Sequence, residues 1–308
     1  MAGAPWSGTS RLMFLFIVTV WGFNYLFVDL GLHYASPLWL ATIRAGVGAL
    51  ATLAIASGRG AWGTLDARGR RDALLLGIPN TALFFGLWFP AAREVLPGTA
   101  AILIYTFPLW VALLSAPVLG HALHRRHWVA IGVGFAGVAL ISQVWALSNG
   151  SLSPIPILEL LGASVSWAVG TVLFQRRFHR SEMLEANTFQ VIGGATVLLA
   201  VTLAVGPTPL PTSSPDLWFT ALWLGVLGTA VAYSLWFTLL GGTRAAKLSA
   251  YVFLVPVVAL GASAVIYSER LSPLQLAGVA LVLVGIYAIS SAPEAGPQVP
   301  SSVPATPE

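Results

Sequence analysis

The residues most able to do chemistry in this 308-residue chain sit inside apolar runs. Arg44 lies within "PLWLATIRAGVGALATLAIAS", with no acidic residue three or four positions away on either side. A guanidinium in that setting can bind a carboxylate through two parallel hydrogen bonds. Its structural alternative is to hold backbone carbonyls or to reach an interface along its stem. Trp21 and Tyr25 are four apart and share a helix face with Asn24 beside them, and Trp167 and Thr171 repeat that spacing later. An aromatic pair facing a cavity would receive flat or cationic groups by stacking. Further candidates for contact with a small molecule are Asn80, Phe84, Trp88, Tyr105 and Tyr233. Pro108 and Pro256 are expected to kink their helices and serve a gate.

Several chemistries have no residues to support them. There are no cysteines, so disulfides, thiolate zinc sites and iron–sulfur clusters are excluded. His121, His124 and His127 in "HALHRRH" lie in a basic turn without a nearby acid, and no metal site is expected there. No phosphate-binding glycine loop occurs, so direct drive by ATP and a cofactor requirement are not expected. Nothing resembles a buried nucleophile–base pair, which argues against an enzyme. The short loops leave no room for the signalling domain of a sensor.

The elements that would position these residues follow from composition. The chain is 57% apolar and 8% charged, against about 25% charged in soluble domains. Lipid must therefore be the solvent for most of it. Ten stretches are long and apolar enough to cross a bilayer, roughly 12–32, 36–56, 72–92, 97–119, 128–147, 156–176, 185–206, 217–240, 244–266 and 271–291. The fold expected is an all-α integral membrane protein of ten transmembrane helices. The Pro-rich tail, residues 292–308, reads as disordered.

The 14 arginines and one lysine are unevenly placed. Twelve fall at the amino terminus or after the even-numbered helices, two after odd-numbered ones, and Arg44 within a helix. That bias puts both termini, including residues 1–11, in the cytoplasm. It also explains the basic pI without any nucleic-acid partner.

The stretch "ALLLGIPNTALFFGLWF" (73–89) returns as "ALWLGVLGTAVAYSLWF" (221–237) with nine of seventeen positions identical. At offsets of 146 to 148, Trp21 falls on Trp167, Thr81 on Thr229, Trp88 on Trp236, Pro108 on Pro256 and Gly137 on Gly285. Residues 12–147 and 156–291 therefore read as two five-helix repeats. An odd number of helices per half makes the second repeat enter the membrane from the opposite side. Inverted repeats of this kind belong to secondary transporters, with substrate bound near the midplane.

These residues carry a resemblance. "VWGFNYLFVDLGL", "ATIRAGVGAL", "TAAILIYTFPLWVALLS" and "YSERLSPLQLAGVALVLVGIYAI" are similar to the drug/metabolite transporter superfamily, and to its ten-helix EamA-type exporters, among them bacterial aromatic amino acid exporters. The resemblance implies an inner-membrane exporter of amino acids or related small metabolites. It implies a cavity lined by helices 1, 3, 4, 6, 8 and 9, with helices 5 and 10 peripheral. Family halves usually carry a glutamate after the fourth helix. Here the second half has Glu269 and the first has His121, which assigns the glutamate to the loop rather than to transport. A monomer suffices for this architecture, with a dimer as the alternative. Organic cations are the second substrate class, using the same tryptophans. Asp29, Glu94, Glu159, Glu185 and Glu269 all fall near helix ends, which favours facilitated diffusion over proton antiport.

Overall fold

A computed structural model describes residues 8–120, 125–142, 153–205, 214–242, 248, 252 and 254–291. Regular structure among them is helical throughout. Seven helical runs are long and apolar enough to cross a membrane: α1 (Gly8–Leu32), α2 (Pro37–Gly58), α3 (Ala67–Ala91), α4 (Pro97–Leu119), α6 (Ile155–Arg177), α7 (Arg180–Ala204) and α8 (Pro215–Leu240). Three shorter apolar helices complete the described chain: α5 (Arg125–Ser142), α9 (Leu254–Ile266) and α10 (Pro273–Ser291). The chain is a multi-pass membrane protein. Its outward residues, such as Leu50, Leu203, Val265 and Val284, are apolar and exposed, as a lipid-facing surface requires. The calls on residues 1–7, 143–147, 206–213, 243–247, 249–251, 253 and 292–308 lie outside the described residues, as do His121, His124 and the side chain of His127.

α3 starts earlier than its apolar run. The Asp66 carboxylate accepts from the Gly69 N–H at 2.7 Å and caps the helix, satisfying a donor that no intrahelical carbonyl can reach. Arg68, Arg70 and Arg71 therefore belong to the first turns of a helix and not to a loop.

Both members of the repeated stretch widen into a π-helical segment, Ile78–Leu83 in α3 and Trp223–Val231 in α8. Pro79 has no N–H to give the Leu75 carbonyl, and its ring crowds that oxygen. The Ile78 N–H donates to Leu75 instead. In α8 the Thr229 hydroxyl donates to the Leu224 carbonyl, five residues back, at 2.9 Å. That is side-chain back-bonding stretched to the π spacing.

α4 is broken into Pro97–Ile104 and Phe107–Leu119 around Tyr105 and Thr106. Pro108 lies just past the break, and its ring excludes a helical carbonyl at Ile104. The interruption thus falls one turn before the proline. Pro256 lies in the first turn of α9, and most residues just before it are outside the described set.

The main packing contacts run between residues 12–147 and 156–291. α7 packs on α2 and α3, α6 on α3 and α4, α8 on α1 and α2, and α9 on α1 and α4. α5 and α10 pair with each other and touch the remainder chiefly through α4. A Cβ on Gly137 would sit 2.5 Å from the Gly278 carbonyl, so this pair approaches at backbone distance.

Candidate functional site

Tyr25, Trp21, Phe84, Trp88, Tyr105, Trp167 and Tyr233 are buried and converge from α1, α3, α4, α6 and α8. Ring centroids lie 4.7 Å apart for Tyr25–Trp88, 4.9 Å for Trp167–Tyr233, 5.1 Å for Phe84–Trp167 and 5.9 Å for Trp21–Trp167. Tyr105 joins through Tyr25 at 6.3 Å. Trp21 and Trp167 meet edge-on at 89°, an arrangement that ring quadrupoles favour, and the other pairs are tilted at 43–59°. Phe84 and Trp88 follow the π segment of α3, and Tyr233 follows that of α8.

Arg44 closes one side. It is 1% exposed, and its guanidinium lies 4.1 Å from the Phe85 ring centroid and 5.1 Å from that of Trp88. Its Nε donates to the Thr229 hydroxyl at 3.1 Å, so Thr229 at once anchors the π turn of α8 and orients the cation. Cation–π contacts are worth about 2 kcal/mol when desolvated, less than the penalty for burying a lone charge. The rings against it are those of Phe85, Trp88 and Phe89, and no carboxylate forms an ion pair with it among the described residues. The three ion pairs among the described residues all lie elsewhere.

Polar atoms in and beside the cluster lack protein partners. Arg44 Nη1, Tyr233 Oη, Trp88 Nε1 and Trp236 Nε1 are buried without a hydrogen-bond acceptor among the described residues. Buried polar groups are ordinarily satisfied. A concentration of free donors about one cation therefore suits a ligand that accepts hydrogen bonds and carries negative charge.

Three sequence candidates stand apart. Asn80 donates through Nδ2 to Gln190 Oε1, and Gln190 donates to Asn187 at 3.2 Å. This amide chain ties α3 to α7 beside the cluster. Asn24 packs against Gly228, and the Trp21 indole donates to the Gly228 carbonyl at 3.1 Å. Thr171 is buried with its hydroxyl unpartnered. The sequence reading left out Phe85 and noted Trp236 in the eighth helix without naming it a contact. Phe85 is the ring nearest the Arg44 guanidinium, and Trp236 stands 5.4 Å from Trp21. The signal for Trp236 was its place as the repeat mate of Trp88.

Two buried glutamates close the ends of the bundle. Glu185, at the start of α7, accepts from Thr64 N (2.7 Å), Thr64 Oγ1 (2.7 Å), Leu65 N (3.0 Å) and Arg70 Nε (3.0 Å). Glu269, beyond α9, accepts from Gly98 N (2.9 Å), Thr99 N (2.9 Å), Thr99 Oγ1 (2.6 Å) and Ser263 Oγ. It thereby satisfies the orphan donors at the start of α4. A Cβ on Gly98 would fall 2.6 Å from Glu269 Oε2, so only glycine admits the carboxylate. α3 runs the length of the bundle from near Thr64 to near Gly98, which puts the clamps at opposite ends.

A multi-pass helical protein with a buried, charged aromatic site between its two halves has the build of a membrane carrier, and the comparisons agree. The family model for the EamA-like transporter family matches residues 9–143 and again 154–291. The chain belongs to the EamA-like transporter family. Over 287 residues it is 27% identical to the uncharacterized transporter YvbV of Bacillus subtilis, covering 92% of each chain. It is 28% identical over 286 residues to a probable amino-acid metabolite efflux pump of Salmonella typhimurium, covering 89% of this chain and 92% of the relative. It is 28% identical over 295 residues to the uncharacterized inner membrane transporter YedA of Escherichia coli, covering 90% and 92%. A protein crystal structure shares the fold with TM-score 0.66 at 18% identity, over 92% of this chain and 97% of that one.

Proposed function

We propose that this protein is a secondary transporter of the inner membrane that exports amino acids or related small metabolites by alternating access. In this reading ten helices form two inverted five-helix repeats, residues 12–147 and 156–291, with both termini in the cytoplasm. The substrate binds in a central aromatic site, its carboxylate on Arg44 and its apolar part among Trp21, Tyr25, Trp88, Trp167 and Tyr233.

The observation that carries this is Arg44, a buried cation without an ion-pair partner among the described residues, held by rings of the first half and by the Thr229 hydroxyl of the second. Such a group inside a bilayer points to a substrate site. The clamps at Glu185 and Glu269 support alternating access: each ties one half to the other, at opposite ends, over a buried site. The Salmonella typhimurium relative named a probable amino-acid metabolite efflux pump supports the substrate class.

The test is flux of a labelled amino-acid and metabolite panel across proteoliposomes, with and without a pH gradient, comparing wild type with Trp167→Ala. Saturable flux without a gradient, lost in the variant, supports facilitated export through this site. Flux that requires the gradient moves the mechanism to proton antiport. Movement of organic cations alone would refute the substrate class.

A further inference from the structure

We propose, building on the transporter reading, that the central site selects a monoanion: a carboxylate on an aromatic or large apolar body, without a free ammonium group.

The reasoning is one of charge and of donor count. The groups placed against Arg44 are neutral, the rings of Phe85, Trp88 and Phe89 from α3 and the Thr229 hydroxyl from α8, and α7, which also packs on α2, carries the amides Asn187 and Gln190, with its buried acid, Glu185, bound to Thr64 and Arg70. The buried carboxylates Glu185 and Glu269 are occupied at the two ends of the bundle. With Arg44 charged, the closed site holds one positive charge in a low-dielectric surround. A monoanion brings it to zero. A zwitterion leaves it at one, an organic cation raises it to two, and a dianion leaves one negative charge uncompensated. Unlike charges separated in water gain little, whereas in a dry site the same pair dominates binding.

Hydrogen-bond capacity points the same way. Arg44 Nη1, Trp88 Nε1 and Trp236 Nε1 are donors only, while the unpartnered hydroxyls of Tyr233, Thr81 and Thr171 can donate or accept, so the set is weighted toward donors. An ionised carboxylate only accepts, so it answers this set. An ammonium only donates and needs acceptors. The buried amide oxygens without partners, Asn24 Oδ1 and Asn80 Oδ1, are wedged at helix contacts against Gly228 and Gly170, and Asn80 is held by Gln190. The substrate is then a deaminated or N-acylated relative of an apolar amino acid, and the reaction that supplies it is one that removes or blocks an α-amino group.

The experiment uses purified full-length protein and three ligands with one common ring and chain: 3-phenylpropionate, phenylalanine and phenethylamine. Binding is measured by calorimetry. Flux is measured in proteoliposomes with 3-phenylpropane-1-sulfonate as the anion, because a sulfonate stays charged and does not leak as a neutral acid. The acid is expected to bind at least about tenfold more tightly than the zwitterion, and the amine not to compete. Arg44→Gln should bring acid and zwitterion within about threefold of each other. Tyr233→Phe, which keeps the ring and the charge, should weaken the acid alone and guards against an Arg44 variant that fails to fold. Tighter binding of phenylalanine would overturn the monoanion inference and leave the amino-acid exporter standing. Preference for the amine would overturn both the inference and the carboxylate role of Arg44. Failure of all three to bind or move would overturn the inference together with the assignment of the site.

Discussion

Replacing Glu185 by glutamine removes one charge and one acceptor from a side chain that holds four donors. Oε2 takes the two Thr64 donors and the Leu65 N–H, while Oε1 takes Arg70. An amide can keep its oxygen toward Thr64 and Leu65, but its NH2 then faces the guanidinium. Arg70 is 42% exposed at its side chain and can turn to water, so that loss is small, about 0.5 kcal/mol. The three remaining bonds fall from charge-assisted to neutral strength, about 1 kcal/mol each. The sum is about 3.5 kcal/mol, or roughly three hundredfold in the opening equilibrium of the segment before α3. Hydrogen exchange by mass spectrometry reads this directly at the Thr64 and Leu65 amides. The Glu185→Gln protein should exchange there about three hundredfold faster than wild type, with unchanged exchange at the start of α4. A change of less than about threefold at Thr64 and Leu65 would refute the view that this carboxylate holds that end of the bundle shut.

The chain contains no cysteine, so single-cysteine reporters need no background substitutions. In Glu185→Gln a cysteine placed near Leu65 should label faster with a membrane-impermeant maleimide, and in Glu269→Gln one placed near Thr99 should do so, each from its own side of the membrane. Gly98→Ala should mimic Glu269→Gln in that labelling, because the added methyl displaces the carboxylate. Gly137→Leu should lower thermal stability by about 2 kcal/mol or more through overpacking of α5 against Gly278, measured by thermal unfolding in detergent, with ligand affinity at the central site unchanged. Thr229→Val removes the acceptor of Arg44 Nε and should weaken binding of an acidic ligand by about 1 kcal/mol in calorimetry.

Much of this was legible in the sequence because the bilayer leaves few solutions. A run such as Pro97–Leu119, free of charge, can only be a helix there, and its bounds follow from composition. Arg44 stood out for the same reason, as did the aromatic residues at helical spacing. What the sequence concealed depends on partners far along the chain. Glu185 is 121 residues from Thr64 and read simply as an acid near a helix end. Glu269 read as serving its own loop, whereas it caps a helix that begins 171 residues earlier. The break in α4 falls at Tyr105 because a proline acts on the carbonyl four residues before it. No residue type encodes a π turn, so Phe85 could not be assigned to the Arg44 side of α3 from an ordinary helical period. Asn80 looked like a substrate contact, and its pairing with Gln190 across the helix interface follows only from packing.

The most direct test of the central claim is counterflow. Proteoliposomes are loaded with unlabelled acidic substrate, diluted into a trace of the labelled compound, and followed without any ion gradient. A carrier whose single site faces each side in turn must show transient accumulation of label. The account predicts that overshoot in wild type, its loss in Arg44→Gln, and its survival in Arg59→Gln, a change at an exposed arginine past the end of α2. Counterflow in Arg44→Gln at the wild-type rate would contradict the account, as would its absence from folded wild-type protein.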